Sequence, residues 1–194
     1  MNKTSTTVSE IDQLTRCSWC GNDPEYIHYH DEEWGVPQHN PRALFEKICL
    51  EGFQAGLSWI IILRRRSAFR RVFYDFDPER VASMTEEDTI RLMNDSTIIR
   101  HRGKINATIS NARATLSLSR SLSEVLWSFA PQQPRSRPQT WSDLRSVTDE
   151  STAMSAYLRK NGFRFVGPTT MYALMQSTGM VDDHFASCFR ATDE

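Results

Sequence analysis

In the largely apolar stretch between positions 44 and 66, the carboxylate of Glu51 lies between apolar residues on both sides. On a helix, Glu51 falls on a stripe of apolar side chains and faces the core instead of water. That stripe contains Leu44, Ile48, Ala55 and Ile62. Removing an ionised carboxylate from water costs several kcal/mol, so Glu51 requires either a structural partner or a ligand. The candidate structural partners are Lys47 and Arg64.

Two glycines divide this stretch. Gly52 and Gly56 weaken a continuous helix, and Ser58 is a suitable N-cap for a second helix that runs from Trp59. The sequence therefore predicts a helix, a tight loop at 52–57, and another helix. Glu51 and Trp59 would stand at the two ends of this loop, so an acid and a large aromatic side chain would face one space.

Cysteine and histidine residues occur near both ends of the chain. Cys17 precedes His30 by thirteen positions, and His184 and Cys188 are four apart, which puts them on one face if their segment is helical. Together these four residues have the types of a tetrahedral Cys₂His₂ zinc site. Two alternatives stay open at this point: no metal at all, or a half-site built on Cys17 with neighbouring residues, namely Cys20 and His28.

A glycine-containing segment near the end of the chain could bind phosphate. Gly162 and Gly167 allow backbone N–H groups to approach an anion, and a helix beginning at Pro168 adds its positive end. Basic residues gather here and at two other places, so a one-sided positive surface for a phosphate backbone is plausible. The three clusters are Arg64, Arg65, Arg66, Arg70 and Arg71, then Arg100, His101, Arg102 and Lys104, and finally Arg159, Lys160 and Arg164.

Composition bounds the class of protein. A chain of 194 residues with 39% hydrophobic content can bury one core, and a net charge of −1 argues against a protein that coats polyanions. We expect a disordered tail at 1–14, one domain at 15–190 and a short tail at 191–194. No secretory or membrane-spanning run occurs, and four cysteines without an export signal indicate reduced or metal-bound thiols in the cytoplasm.

The elements that must position these residues are helices. Apolar periodicity and capping residues predict an all-α chain, with no clear strand signal. The expected helices are 41–51, 58–72, 78–84, 86–94, 98–119, 121–130, 150–160 and 168–178. The segment 131–142, which contains three prolines, is expected to be a connecting loop.

Several ordered blocks of residues, spanning roughly 15 to 190, resemble the DNA-3-methyladenine glycosylase I family. The blocks are Cys17-Ser18-Trp19, Tyr29 to Pro37, Leu50-Glu51-Gly52, Gln54 to Trp59, Ile98 to Ile105, Gly162 to Gly167, and Asp183-His184. This resemblance implies a helix-hairpin-helix DNA glycosylase fold with two helical lobes flanking a base pocket. It also implies a structural Zn²⁺ that joins the N- and C-terminal segments through Cys17, His30, His184 and Cys188, and it gives no role to Cys20.

The resemblance further implies a monofunctional glycosylase that flips out and hydrolyses 3-methyladenine in alkylated double-stranded DNA, acting as a monomer. The base would be held by Trp19, Tyr29, Glu51 and Trp59, with Glu51 and Tyr29 as the catalytic pair. The positive charge of the alkylated base already makes it a good leaving group. Glu51 would therefore recognise the base and would not act as an acid catalyst. The DNA contacts would come from Gln54, Leu57, Gly162, Arg164 and Gly167.

Three departures from the family pattern are visible. Asp182 replaces an Asn and is either a general base or a carboxylate that supports His184. Thr97 and Phe53 stand where the family tends to have Gly and Gln. Two rival functions are a non-catalytic protein that binds damaged DNA and a glycosylase-lyase, but the segment 168–178 has no Lys for a Schiff base, which counts against the lyase.

Overall fold

The computed structural model describes residues 14–133 and 135–191, and within these ranges it is helical and contains no β-strand. The expectation of an all-α chain is confirmed. The α-helices are α1 (Pro24–Glu32), α2 (Pro41–Gln54), α3 (Trp59–Leu63), α4 (Arg66–Val72), α5 (Pro78–Ala82), α6 (Glu86–Met93), α7 (Arg102–Leu116), α8 (Leu122–Trp127), α9 (Asp149–Lys160) and α10 (Pro168–Ser177). Short 3₁₀ helices occur at Ser18–Cys20, Tyr74–Phe76 and Trp141–Asp143. The predicted N-terminal tail, apart from Leu14, and residues 192–194 lie outside the described residues.

Several helices begin where the capping residues predict, but the helix predicted at 98–119 begins only at Arg102, because His101 is its N-cap. The Asn40 side chain accepts hydrogen bonds from the first free N–H groups of α2, and Pro41 occupies the first helical position, where no N–H is needed. Thr85 and Asp88 form a capping box at the start of α6. Local chemistry at the N-termini therefore fixes these boundaries.

The predicted loop at 52–57 is wrong at its start, because α2 continues through Gln54. Phe53 is fully buried and its ring centroid lies 4.5 Å from that of Phe69. Burying a Phe side chain gains about 1.5 to 3 kcal/mol, whereas Gly52 inside a helix costs only about 1 kcal/mol. Tertiary packing therefore outweighs the helix-breaking tendency of Gly52, and the loop is confined to 55–58.

The single helix predicted at 58–72 is also interrupted. Arg65 leaves the helical conformation, with φ −104° and ψ 1°, and separates α3 from α4. The break directs two neighbouring arginines to different carboxylates: Arg64 to Asp23, and Arg66 to Glu33. Arg64 is therefore not the partner of the buried acid.

Helix α1 was not predicted, because its aromatic and polar residues show no clear apolar period. The sequence nevertheless indicates where α1 begins. The Asp23 side chain accepts from the N–H groups of Glu25 and Tyr26, and Pro24 is the first helical residue.

The buried apolar side chains form one continuous cluster that reaches from α1 to α10, and a smaller cluster contains Cys17, Phe185 and Cys188. The segment after α8 is a connecting loop, as predicted, and it carries the 3₁₀ helix Trp141–Asp143. Among the described residues, no helix has the length and apolar character needed to cross a bilayer.

Candidate active site and metal centre

Four residues predicted to form a base pocket line a single cavity. Trp19 comes from the first 3₁₀ helix, Tyr29 from α1, Glu51 from α2 and Trp59 from α3. Gln54, a predicted DNA contact, lies in the same wall. The remaining lining residues are Tyr26, Trp34, Trp141, Leu144, Ala173, Gln176 and Ser177.

Glu51 is only 4% exposed, as the apolar stripe indicated. The Ser177 hydroxyl donates a hydrogen bond to its carboxylate at 3.2 Å. Burial raises the pKa of Glu51 to about 7, and the positive charge of Lys47 and the bond from Ser177 partly oppose this rise. The protein therefore stabilises the charged form of Glu51 only weakly. A cationic or hydrogen-bonding ligand in the cavity would stabilise that charged form.

Half of the residues that line the cavity are aromatic. Trp19 makes edge contacts with Tyr29, at a centroid distance of 6.4 Å, and with Tyr26 and Trp34 at 5.1 and 5.0 Å. Tyr29 and Trp59 lie 5.4 Å apart. The indole Nε1 of Trp59 is buried without an acceptor in the described part of the chain. The cavity therefore suits a flat ring.

The loop between α2 and α3 is exposed at its tip, and hydrogen bonds from Lys104 hold its base. Leu57 is 38% exposed at its tip, next to Gly56 with φ 83°. Lys104 donates its ammonium hydrogens to the carbonyls of Phe53 and Ala55, at 2.9 and 2.6 Å. Lys104 is only 7% exposed, so this member of a predicted basic cluster is a structural support for the loop.

The glycine-containing segment between α9 and α10 forms a tight turn. Gly162 adopts φ 92°, which L-residues rarely do, and Gly167 is the N-cap of α10. Asn111 of α7 bonds both the N–H and the carbonyl of Arg164, at 2.7 and 3.1 Å. Phe165 is 40% exposed beside this turn. The predicted phosphate-binding residues therefore lie on one rigidly held turn.

The four predicted metal ligands are brought together. Cys17, His30, His184 and Cys188 are all buried, and their ligand atoms lie within 4.8 Å of one another. The Sγ atom of Cys188 is 3.4 Å from Nε2 of His30 and 3.6 Å from Nδ1 of His184. Burial lowers the pKa of both imidazoles, that of His184 to about 4, so both are neutral at pH 7. The cluster could hold a metal ion.

The segment that carries His184 and Cys188 is not helical, because the chain after α10 runs through turns. Their side chains meet through this turn geometry instead. The other imidazole nitrogens are also engaged: Nδ1 of His30 is 2.7 Å from the Asp31 carboxylate, and Nε2 of His184 is 3.3 Å from the Trp34 carbonyl. This leaves one nitrogen of each imidazole for a metal.

The alternative metal ligands take other positions. Cys20 is buried, but its thiol donates to the backbone carbonyl of Cys17 at 3.1 Å. His28 is exposed. Neither belongs to the cluster of ligand atoms found among the described residues.

Asp182 lies outside the aromatic cavity and lines a separate one. Its carboxylate pairs with Arg137 at 2.7 Å and accepts from the backbone N–H of His184 at 3.1 Å. It therefore contacts His184 of the Cys/His cluster through the backbone, not through the imidazole.

Sequence reasoning missed several residues of the cavity. Tyr26 was hidden in the unpredicted helix α1, although its spacing of three from Tyr29 places both on one face. Ser177 and Gln176 come from α10, and no local pattern links them to Glu51. Asp183 accepts from Gln176 at 2.8 Å and so positions that side chain.

Comparison with known proteins gives a consistent result. The family model for methyladenine glycosylase matches residues 19–191. DNA-3-methyladenine glycosylase 1 of Escherichia coli (strain K12) is 49% identical over 179 residues, which is 90% of this chain and 96% of that protein. A crystal structure of 3-methyladenine DNA glycosylase I (TAG) has a TM-score of 0.88 at 49% identity, covering 90% of this chain and 98% of that one. A variant of 3-methyladenine DNA glycosylase I in complex with 3-methyladenine has a TM-score of 0.87 at 36% identity, covering 92% and 98%.

Proposed function

This chain belongs to the methyladenine glycosylase family, and from that membership we propose that it is a DNA glycosylase that hydrolyses the N-glycosidic bond of 3-methyladenine in alkylated DNA. One observation carries the proposal: a buried carboxylate, that of Glu51, faces a cavity whose walls are aromatic. This combination attracts a flat cation more strongly than a neutral ring of the same shape.

The substrate needs little chemical activation. Adenine methylated at N3 carries a delocalised positive charge, so it departs with the electrons of the glycosidic bond and needs no proton from the enzyme. A damaged base also stacks and pairs poorly, which lowers the cost of flipping it out of the duplex. The protein therefore has to bind the cationic base and admit water to the sugar carbon.

Each wall of the cavity has a role in this scheme. Trp19 and Trp59 stack against the base, an attraction of about 0.5 to 2 kcal/mol for each cation–π contact. Glu51 accepts hydrogen bonds from the edge of the base, and Tyr29 completes the hydrogen bonding. Glu51 and Tyr29 thus act on the reacting base, by recognition of its charge instead of by proton donation.

The remaining proposed contacts are with the DNA. Leu57 or Gln54 fills the gap that the flipped base leaves in the stack, since the loop carrying Leu57 is exposed beside the cavity. The segment from α9 to α10 acts as the hairpin of a helix-hairpin-helix fold, with the cavity between two helical lobes. Gly162, Arg164 and Gly167 hold a phosphate there, with help from the positive end of α10.

We assign the Cys/His cluster to Zn²⁺. Four ligands at ordinary tetrahedral zinc distances place sulfur and nitrogen about 3.6 Å apart, and the separations of 3.4 to 3.6 Å support this ion. Burial raises the pKa of the Cys17 thiol to about 12, so its thiolate needs a cation. With four protein ligands the zinc supplies structural cross-linking between the two ends of the domain at 15–190, and no chemistry at the base.

The partner in this proposal is double-stranded DNA with alkylated bases, met in the cytoplasm by a monomeric enzyme. Two rivals make different predictions. A damage-binding protein would hold such DNA without releasing a base. A glycosylase-lyase would also cut the strand, but the ammonium of Lys47 lies behind the aromatic wall and does not line the cavity.

The test is to incubate the protein with methylated duplex DNA and to identify the released bases by chromatography, while strand integrity is followed on a gel. We expect 3-methyladenine to be released and the strand to stay intact. Binding of the duplex without release would favour the damage-binding protein, and strand cleavage would favour the lyase. DNA incubated without protein gives the spontaneous release.

A further inference from the structure

Lys47 lies directly behind the wall of the base cavity. It precedes Glu51 by four residues on α2, so the two side chains are neighbours one turn apart on the helix. Its ammonium donates to the Tyr29 hydroxyl oxygen at 3.3 Å. It also lies 4.7 Å from the ring centroid of Tyr29 and 5.4 Å from that of Trp59. One cation therefore touches two of the rings proposed to hold the base.

The ammonium approaches these rings from outside the base cavity. Lys47 lines a separate cavity of about 170 Å³. Ser177, which bonds Glu51, lines both cavities and separates them. A base bound in the aromatic cavity would therefore leave Lys47 in place.

The other charges around Lys47 already have partners. Glu33, which follows α1, forms two hydrogen bonds with Arg66 of α4, one of 2.7 Å. Glu46 of α2 pairs with Arg70 of α4 at 2.8 Å. Glu51 has no arginine partner among the described residues and accepts only from Ser177. The charge of Lys47 is therefore balanced chiefly by that of Glu51.

We propose that Lys47 is a positioning residue for base recognition, which keeps the Glu51 carboxylate ionised and turns the Tyr29 hydroxyl hydrogen toward the base. This inference rests on the proposed function. The geometry explains both effects. A positive charge one helical turn away stabilises the carboxylate, and a Tyr29 oxygen that accepts from Lys47 directs its own hydrogen elsewhere.

The ionisation of Glu51 matters because burial raises its pKa to about 7 even with Lys47 present. Burial also lowers the pKa of Lys47, and the attraction between the two groups opposes both changes. The groups that face Glu51 are Lys47 on its own helix, Ser177 on α10, and Tyr26 and Tyr29 on α1. Without Lys47, Glu51 would be largely neutral at pH 7 and would lose its attraction for a cationic base.

The first measurement is an NMR titration of the Glu51 side-chain carboxyl carbon in the free, zinc-loaded protein, with Glu51→Gln used to assign the signal. In Lys47→Met the measured pKa should rise by about 1 to 2, from the loss of one nearby charge at an effective dielectric constant near 20. Lys47→Arg should restore it to near the parent value. The matched control is Arg91→Met, which removes an exposed charge paired with Asp88 on α6.

The second measurement is the pH profile of kcat/KM for release of 3-methyladenine, whose acidic limb reports ionisation in the free enzyme. The pKa of the acidic limb should rise in Lys47→Met by the same amount as the Glu51 pKa measured by NMR. In Arg91→Met the pKa of the limb should not change. An unchanged NMR pKa, or a limb that does not follow it, would overturn the proposal. A parent protein that releases no base would refute the proposed function, while the titration would still decide whether Lys47 controls Glu51.

Discussion

Replacing Glu51 by Gln should stabilise the protein while it weakens base binding. Glu51→Gln keeps the size of the side chain and still accepts the hydrogen bond from Ser177. It removes a carboxylate that the fold holds away from water. If removing a buried charge stabilises the fold, the protein keeps that charge to bind a ligand and not for stability.

The magnitude follows from the pKa of Glu51, which is raised from 4.5 to about 7. Between these values the folded protein retains the proton that the unfolded chain has lost, so stability decreases as the pH rises through this window. At pH 8 the cost is about 3 kcal/mol, and at pH 5 it is about 1 kcal/mol. For a domain of this size, about 3 kcal/mol corresponds to a rise in Tm of about 6 to 12 °C in Glu51→Gln at pH 8.

The assay is unfolding of the parent and Glu51→Gln at pH 5 and pH 8. Glu79→Gln, at an exposed position in α5, serves as the control and should show no gain that grows with pH. Calorimetry with free 3-methyladenine should show weaker binding to Glu51→Gln by about 10-fold to 100-fold, the value of a hydrogen bond to a charged group. A gain in stability that is equal at both pH values, or unchanged affinity with intact Trp fluorescence, would refute the reasoning.

Three further predictions concern the metal cluster and the backbone. Cys188→Ser should lose zinc and stability together, whereas Cys20→Ser should retain full zinc occupancy by metal analysis; full occupancy in Cys188→Ser would contradict the ligand assignment. Asp182→Asn should release 3-methyladenine within several-fold of the parent, because Asp182 pairs with Arg137 outside the base cavity, and a hundred-fold loss in single-turnover rate with zinc retained would identify a catalytic base. Gly179→Ala should cost about 3 kcal/mol in urea unfolding, because φ is 71° and a Cβ would lie 2.6 Å from a backbone nitrogen. Gly167→Ala, with φ −63° and open space, is its control and should change stability little.

Local chemistry made much of the fold predictable. Pro41 and the capping box at Thr85 marked helix starts that the structure contains, and the stripe around Glu51 indicated its burial correctly. The predicted helix boundaries were wrong where packing between residues far apart in the sequence determines them. Phe53 extends α2 because Phe69 covers it, and Phe69 lies beyond any local pattern.

The site divides in the same way. Trp19 and Trp59 could be named because the family resemblance covers their motifs. Ser177 could not, because only the packing of α10 on α2 brings it to the buried acid. Lys104 looked like a surface cation in the sequence, yet two backbone carbonyls hold its ammonium. Charge patterns alone cannot separate a DNA contact from an internal support.

The central claim is that the aromatic cavity beside Glu51 binds the alkylated base. A crystal structure of this protein with free 3-methyladenine tests it most directly. We predict that the ring stacks against Trp19 and Trp59, with its edge within hydrogen-bond distance of Glu51. Electron density for the base only in the separate cavity near Asp182, or an aromatic cavity that stays empty at saturating 3-methyladenine, would contradict the claim.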